Sequence, residues 1–297
     1  VPLTPGSWLK QAIHQTNKPK ESVIAALKRH LGGPQQGRTR DVVHASDVTR
    51  PDFCPRRWAF FDLFAKKTEI EFLSTALDFT FQMGLATETM LVEEWAGDAA
   101  IGNWECRKCN AQRTMVCKPN GYCKDGSKHW WAYRQVQFEA GGMSGSPDVL
   151  FDVGAPKLVV TEVKTLNPTD FDVLVMPQPE HRLRTNLYLK LVAESNSVYK
   201  DKINQAEGRV LYVSRGYGKL NAQWNEILPF KEYIVKREDA PLVTLLQKAR
   251  AVQLFREEQK MPSGICGTAL DPIAKKCSVC QECFSGQHPA QVMWEAL

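Results

Sequence analysis

Apolar positions recur at helical spacing over residues 6–32 and stop at Gly32-Gly33-Pro34. A polar stretch from Gln35 to Arg40 predicts a linker. Residues 55–66 and 81–97 predict two further helices, and residues 180–194 and 240–259 two more. Between them the period shortens. Runs of β-branched and aromatic residues near 133–139, 146–153, 157–165 and 208–214 predict strands. Residues 103–132, rich in Cys, Lys and Trp, hold no sustained period and read as an insertion. The alternation predicts a mixed α/β fold, a small central sheet flanked by helices.

The segment from Ser144 to Leu166 is the first place where the pattern acquires chemistry. Two strand-like runs flank Gly154-Ala155-Pro156, a hairpin turn. With the turn centred on Ala155, Asp148 falls opposite Glu162. Side chains alternate along Leu158 to Lys164, so Glu162 and Lys164 share one face while Val159, Thr161 and Val163 take the other. Opposed carboxylates repel across a hairpin, and a divalent cation between them removes that cost. Hard oxygen donors suit Mg²⁺ or Mn²⁺. A neighbouring lysine could steady a phosphate or a water, a combination suited to phosphodiester hydrolysis. Upstream, Glu88 shares a helical face with Leu91, Val92 and Trp95, while Glu93 and Glu94 point elsewhere. A carboxylate on an apolar face needs a partner, which a metal would supply.

Composition adds exclusions. Of 297 residues, 43% are hydrophobic and 24% charged, as in ordinary globular proteins. No apolar run reaches the roughly 18 residues of a membrane span, and the first twenty residues lack the apolar core of a signal peptide. An intracellular, cytoplasmic setting is the expectation. The net charge of +5 leans towards anionic partners such as nucleic acid.

The nine cysteines fall into two clusters and one outlier. Tight clusters in a large chain with no secretory signal suggest metal sites rather than disulfides. The first cluster is Cys106, Cys109, Cys117 and Cys123, a zinc-like set in which His129 is an alternative fourth ligand. Basic residues beside Trp130 and Trp131 could hold single-stranded DNA there by charge and stacking. The second is Cys266, Cys277, Cys280 and Cys283, with Cys54 standing alone far upstream.

Gly145-Ser146-Pro147-Asp148 followed by Glu162-Val163-Lys164 resembles the core of the PD-(D/E)XK nuclease superfamily, and its RecB-like branch in particular. Gly84 to Glu88 matches that branch's G-x3-H/E helix with glutamate in place of histidine. Arg184 to Tyr188 matches its Q-x3-Y helix with arginine in place of glutamine. One early cysteine plus a late cluster resembles the branch's iron–sulfur members, such as CRISPR-associated RecB-like exonucleases and phage relatives.

The resemblance covers residues 42–285, preceded by a helical segment and linker (1–41) and followed by a tail (286–297). It implies a PD-(D/E)XK core with a zinc-binding insertion (103–132) and an iron–sulfur staple (cysteine cluster 262–285). Glu88, Asp148, Glu162 and the Val163 carbonyl would bind Mg²⁺ or Mn²⁺, with Lys164 completing the catalytic set. A [4Fe-4S] cluster would sit on Cys54, Cys266, Cys277 and Cys283, Cys280 being the alternative ligand. Arg184 and Tyr188 would face DNA. The implied activity is a DNA exonuclease acting on single strands or ends, with recombination or CRISPR adaptation proteins as partners. The alternative is a non-catalytic nucleic-acid-binding protein with structural metal sites.

Overall fold

The computed structural model describes residues 33–36, 41–64, 70–216, 219–220 and 226–285. The expected helix at 6–32, part of the linker and the tail at 286–297 lie outside these residues.

In chain order the strands are β1 (Gly33–Gln36), β2 (Val43–His44), β3 (Ile70–Leu73), β4 (Ala100–Cys106), β5 (Gln112–Val116), β6 (Trp131–Arg134), β7 (Phe138–Ala140), β8 (Met143–Gly145), β9 (Val149–Phe151), β10 (Val159–Leu166), β11 (Glu207–Ser214), β12 (Lys219–Leu220), β13 (Glu226–Ile227) and β14 (Phe230–Lys236). The helices are α1 (Ala45–Val48), α2 (Pro55–Leu63), α3 (Thr75–Met90), α4 (Pro168–Val173), α5 (Pro179–Glu194), α6 (Val243–Glu258) and α7 (Cys280–Phe284).

Two compact units emerge. The smaller comprises residues 1–37 and 70–83, and its described part is the antiparallel pair β1–β3 with the first turns of α3. The larger comprises residues 38–69 and 84–297. Its main sheet runs β14-β11-β10-β9-β4-β5, with β6 also pairing β4. Only β10 and β11 run parallel within it; the other pairings are antiparallel. A second sheet orders β2-β8-β7. The architecture is the mixed α/β sheet with flanking helices that the pattern predicts.

A parallel neighbour requires a crossover, and α4 and α5 supply it between β10 and β11. Pro168 and Pro179 each open their helix at a first-turn position, where no amide is required. Helix α5 buries Leu187, Leu189, Leu191 and Val192 in the largest core cluster, with Val160 from β10 and Val43 from β2. Residues 159–163 of β10 are all buried, so this strand is covered on both faces.

Two glycines shape this core. At Gly145 a Cβ would stand 2.7 Å from Leu191 Cδ1 and 3.0 Å from the Tyr188 ring, so only glycine lets α5 approach β8 this closely. Gly154 turns the hairpin at φ +74°, with its amide donating to Asp152 Oδ1 over 2.9 Å.

The pattern blurred some boundaries. The expected strand at 133–139 is split into β6 and β7, and that at 146–153 shortens to β9. The expected helix at 81–97 begins at Thr75 and ends in a π-turn over Leu91–Trp95, closed by the Ala96 amide on the Leu91 carbonyl. Among the described residues, no helix is long and apolar enough to cross a membrane.

Candidate active site and cysteine centres

The hairpin carries the acidic group. Val159 faces Phe151, Val160 faces Leu150 and Thr161 faces Val149. That register puts Asp148, one residue before β9, level with Glu162. The Asp148 carboxylate is pinned by the Val163 amide, which donates to Oδ2 over 2.7 Å. Glu162 is fully buried on β10.

Two cations converge on Glu162. Lys164 Nζ lies 2.6 Å and Arg184 Nη1 3.1 Å from its Oε1. Its second oxygen, Oε2, is buried with no partner among the described residues, and a buried acceptor so placed has an unmet demand. Lys164 Nζ also donates to the Val163 carbonyl over 2.9 Å and lies 3.5 Å from Asp148 Oδ2. The ammonium thus occupies the nest formed by the three groups expected to bind a divalent metal through Asp148, Glu162 and Val163. Burial works against its charge, but the Asp148 and Glu162 carboxylates outweigh this and hold its pKa above the usual lysine value.

Glu88, on α3, joins from the side. Gln135, just after β6, spans the gap: its amide nitrogen donates to Glu88 Oε1 over 3.1 Å and to Asp148 Oδ1 over 3.2 Å. Burial, with the Asp148 charge behind it, pushes the Glu88 carboxyl up to about 7. Burial and the Glu162 charge push Asp148 up to about 6. The carboxylate oxygens of Glu88, Asp148 and Glu162 do not gather within 4.8 Å of one another; Gln135 and Lys164 stand among them.

Arg184 and Tyr188 are directed inward. The Arg184 guanidinium is divided between Glu162 and Glu180, the latter at 2.7 Å. Tyr188 is 5% exposed in the main core and abuts Gly145. The i, i+4 pair expected to face DNA shares a face, and in the fold Arg184 contacts Glu162 of β10 and Tyr188 abuts Gly145 of β8. Nearby, burial and the charges of Lys164 and Arg184 push His181 down to about 3. It stays neutral, and its Nδ1 lies 2.8 Å from the Tyr212 hydroxyl.

The π-turn revises the face around Glu88. Leu91 and Val92 are buried as expected, but Trp95 is 52% exposed, because the wider turn rotates it off the apolar stripe. Glu93, expected to point away, is buried instead. Its Oε1 accepts from the Tyr133 amide over 2.9 Å and lies 3.7 Å from Arg107. Gln135 was invisible in the sequence, because no periodicity or spacing marks it, whereas Glu180 sits at i, i+4 spacing from Arg184, a signal that could have paired them.

The insertion gathers Cys106, Cys109, Cys123 and His129 with their ligand atoms within 4.8 Å of one another. A tetrahedral ion at a Zn–S distance of about 2.3 Å needs ligand separations of about 3.8 Å; Cys106 and Cys123 sulfurs are 3.8 Å apart. His129 Nδ1 is 3.2 Å from Cys123 Sγ and 3.5 Å from Cys109 Sγ. Cys117 lies outside this group, in which His129, the alternative fourth ligand, stands instead. The reason is register. Strand β5 runs back along β4 so that Val116 meets Gly102, carrying Cys117 away from Cys106. Strand β6 sets Trp131 opposite Cys106, which returns His129 to the ligand end.

The second cysteine set lines one cavity of about 300 Å³, with Cys54, Cys266, Cys277, Cys280 and Cys283 all in its wall. No three of these sulfurs come within 4.8 Å of one another, so they are spaced more widely than ligands of one tetrahedral ion. Burial pushes the Cys266 thiol up, with the charges of Asp271, Cys54, Cys277 and Cys283 adding to it. Phe60, Phe61 and Val279 form a small core beside it, tying α2 to the C-terminal segment.

No family model matches the sequence, and no curated protein matches it. Among solved structures similar in part are two. One is the protein described as SSO0001, with a TM-score of 0.33 and 14% identity over 83% of this chain and 84% of that one. The other is an alkaline exonuclease (LHK-Exo) from Laribacter hongkongensis, with a TM-score of 0.41 and 13% identity over 74% and 89%. At these scores the functional reading rests on the side-chain geometry alone.

Proposed function

We propose that this chain is a divalent-metal-dependent DNA nuclease that hydrolyses phosphodiester bonds at DNA ends or in single strands. The observation that carries the reading is the nest around Lys164 Nζ: Glu162 Oε1, Asp148 Oδ2 and the Val163 carbonyl already surround one positive charge, beside a buried Glu162 oxygen with no partner. Three hard oxygen donors on and beside the β9–β10 hairpin suit Mg²⁺ or Mn²⁺.

Glu88, Asp148, Glu162 and the Val163 carbonyl would hold the metal. When bound, it supplies Lewis acidity towards water and the phosphodiester. The protein's own groups do the positioning. Val163 N–H fixes the Asp148 carboxylate, and Gln135 holds Glu88 and Asp148 at a set distance. Arg184 orients Glu162 from behind. Lys164, beside Asp148 and Glu162, would offset charge gathering on the phosphodiester.

The cysteine centres have structural roles in this reading. Cys106, Cys109, Cys123 and His129 suit Zn²⁺ in a closed site. Cys54, Cys266, Cys277 and Cys283 suit a [4Fe-4S] cluster, Cys280 being the alternative ligand; the wide sulfur spacing and the cavity favour a polynuclear group over a single ion. Such a cluster would join the start of the large unit to its end.

The test is direct. End-labelled single- and double-stranded DNA is incubated anaerobically with Mn²⁺ and either the wild-type protein or Asp148→Ala. Loss of label with the wild type alone is expected; intact DNA in both samples overturns the nuclease reading.

A further inference from the structure

The insertion carries an aromatic–cationic pair that the acidic site does not use. Strand β4 pairs with β6 so that Cys106 faces Trp131. One step further the Arg107 amide donates to the Trp130 carbonyl over 2.8 Å, extending the ladder. Arg107 and Trp130 are therefore cross-strand neighbours. The Arg107 guanidinium lies 5.1 Å from the centre of the Trp130 ring. Trp130 is 56% exposed, whereas its neighbour Trp131 is 4% exposed and stacks on His129 at 4.5 Å. Only Trp130 offers a free face.

The position of the pair is fixed from both ends. Arg107 directly follows Cys106, and Trp130 directly follows His129, so each member of the pair adjoins a residue whose ligand atom lies in the same group. Glu93 takes up the outer side of Arg107 at 3.7 Å.

Arg107 of this pair also lines a groove of about 470 Å³, together with Arg134, Glu93, Tyr133, Gln135 and Glu88. Gln135 donates to both Glu88 and Asp148, so the groove that Arg107 lines reaches the acidic site. The Arg107 and Arg134 side chains are 46% and 63% exposed, and both lie along its wall.

We infer that Trp130 and Arg107 form a stacking shelf for an unpaired nucleobase, from which a single strand runs through the groove towards Glu88 and Asp148. The ring supplies a π-face that any base can stack on, and the two arginines supply charge for the backbone between shelf and site. The inference rests on the nuclease reading for its direction, but not for its binding step.

The experiment measures anisotropy of a fluorescein-labelled oligo(dT) with the full chain, no divalent cation being added, so that binding is read without cleavage. Trp130→Ala is expected to raise Kd by roughly 5- to 150-fold, the range for loss of one stacked base. Trp130→Phe should recover most of the loss, since it keeps a π-face. An oligonucleotide with abasic positions throughout, and a blunt duplex, should bind the wild type and Trp130→Ala alike. Zinc content and thermal midpoint, measured alongside, establish that the variant is folded. Oligo(dT) binding within twofold of wild type in Trp130→Ala overturns the shelf, as does an equal loss on the duplex. Cleavage is assayed separately with Mn²⁺. A wild type that binds through Trp130 but leaves DNA intact would sink the nuclease reading and leave the shelf standing; equal binding with cleavage intact would do the reverse.

Discussion

Glu88→Gln removes a charge that the metal-free fold holds at a cost. Burial and Asp148 raise the Glu88 carboxyl from 4.5 to about 7. Each tenfold in proton affinity is worth about 1.4 kcal/mol, so the rise amounts to about 3 kcal/mol. The folded-state pKa lies above the unfolded one, so the folded chain holds this proton more tightly. The resulting stabilisation is full below about pH 4.5 and is lost as pH rises through about 7. Glutamine does not titrate, and its carbonyl can still accept from Gln135. With divalent metal withheld, the variant should therefore gain on the wild type between about pH 5 and pH 8, by up to about 3 kcal/mol. Urea unfolding at the two pH values reads this difference directly. Part of the rise comes from the Asp148 charge, so the pH-dependent gain should shrink in an Asp148→Asn background, a coupling that a double-mutant cycle isolates. Saturating Mg²⁺ should reverse the order, because the wild type then uses the third carboxylate. A gap between variant and wild type that is the same at both pH values would refute the claim that Glu88 is buried against a like charge.

Further outcomes follow from the same geometry. Arg184→Met leaves buried Glu162 with one cation instead of two and should lower stability by about 3–5 kcal/mol in denaturant titrations; Arg184→Lys should not restore it, because one ammonium cannot reach Glu162 and Glu180 as the guanidinium fork does. Cys117→Ser should leave zinc content unchanged by metal analysis, whereas Cys123→Ser should reduce it, since only the latter belongs to the ligand group. In anaerobically purified protein, Cys277→Ser should lose the brown visible absorbance of an iron–sulfur cluster while Cys280→Ser keeps it; the opposite pattern would move the ligand set to Cys280.

The acidic hairpin was legible in the sequence because strands alternate with period two and a turn residue sets the register. Gly154 and the flanking apolar runs were enough to set Asp148 level with Glu162 and to put Lys164 on the same face as Glu162. The clustering of the cysteines was equally local. What the chain could not reveal by itself lay in contacts between segments far apart. Gln135 bridges Glu88 and Asp148 only because β6 ends beside α3. Arg184 turns onto Glu162 only because the crossover lays α5 over β10. Cys117 gives way to His129 because β5 carries Cys117 away from Cys106 while β6 returns to it. A single π-turn moved Trp95 out and Glu93 in, against a face that regular helical spacing assigned correctly up to Val92. Periodicity along one element is set by backbone geometry and can be read from residue order. Which side chain meets which across elements depends on strand register and helix crossing, and these are set by packing the whole core at once.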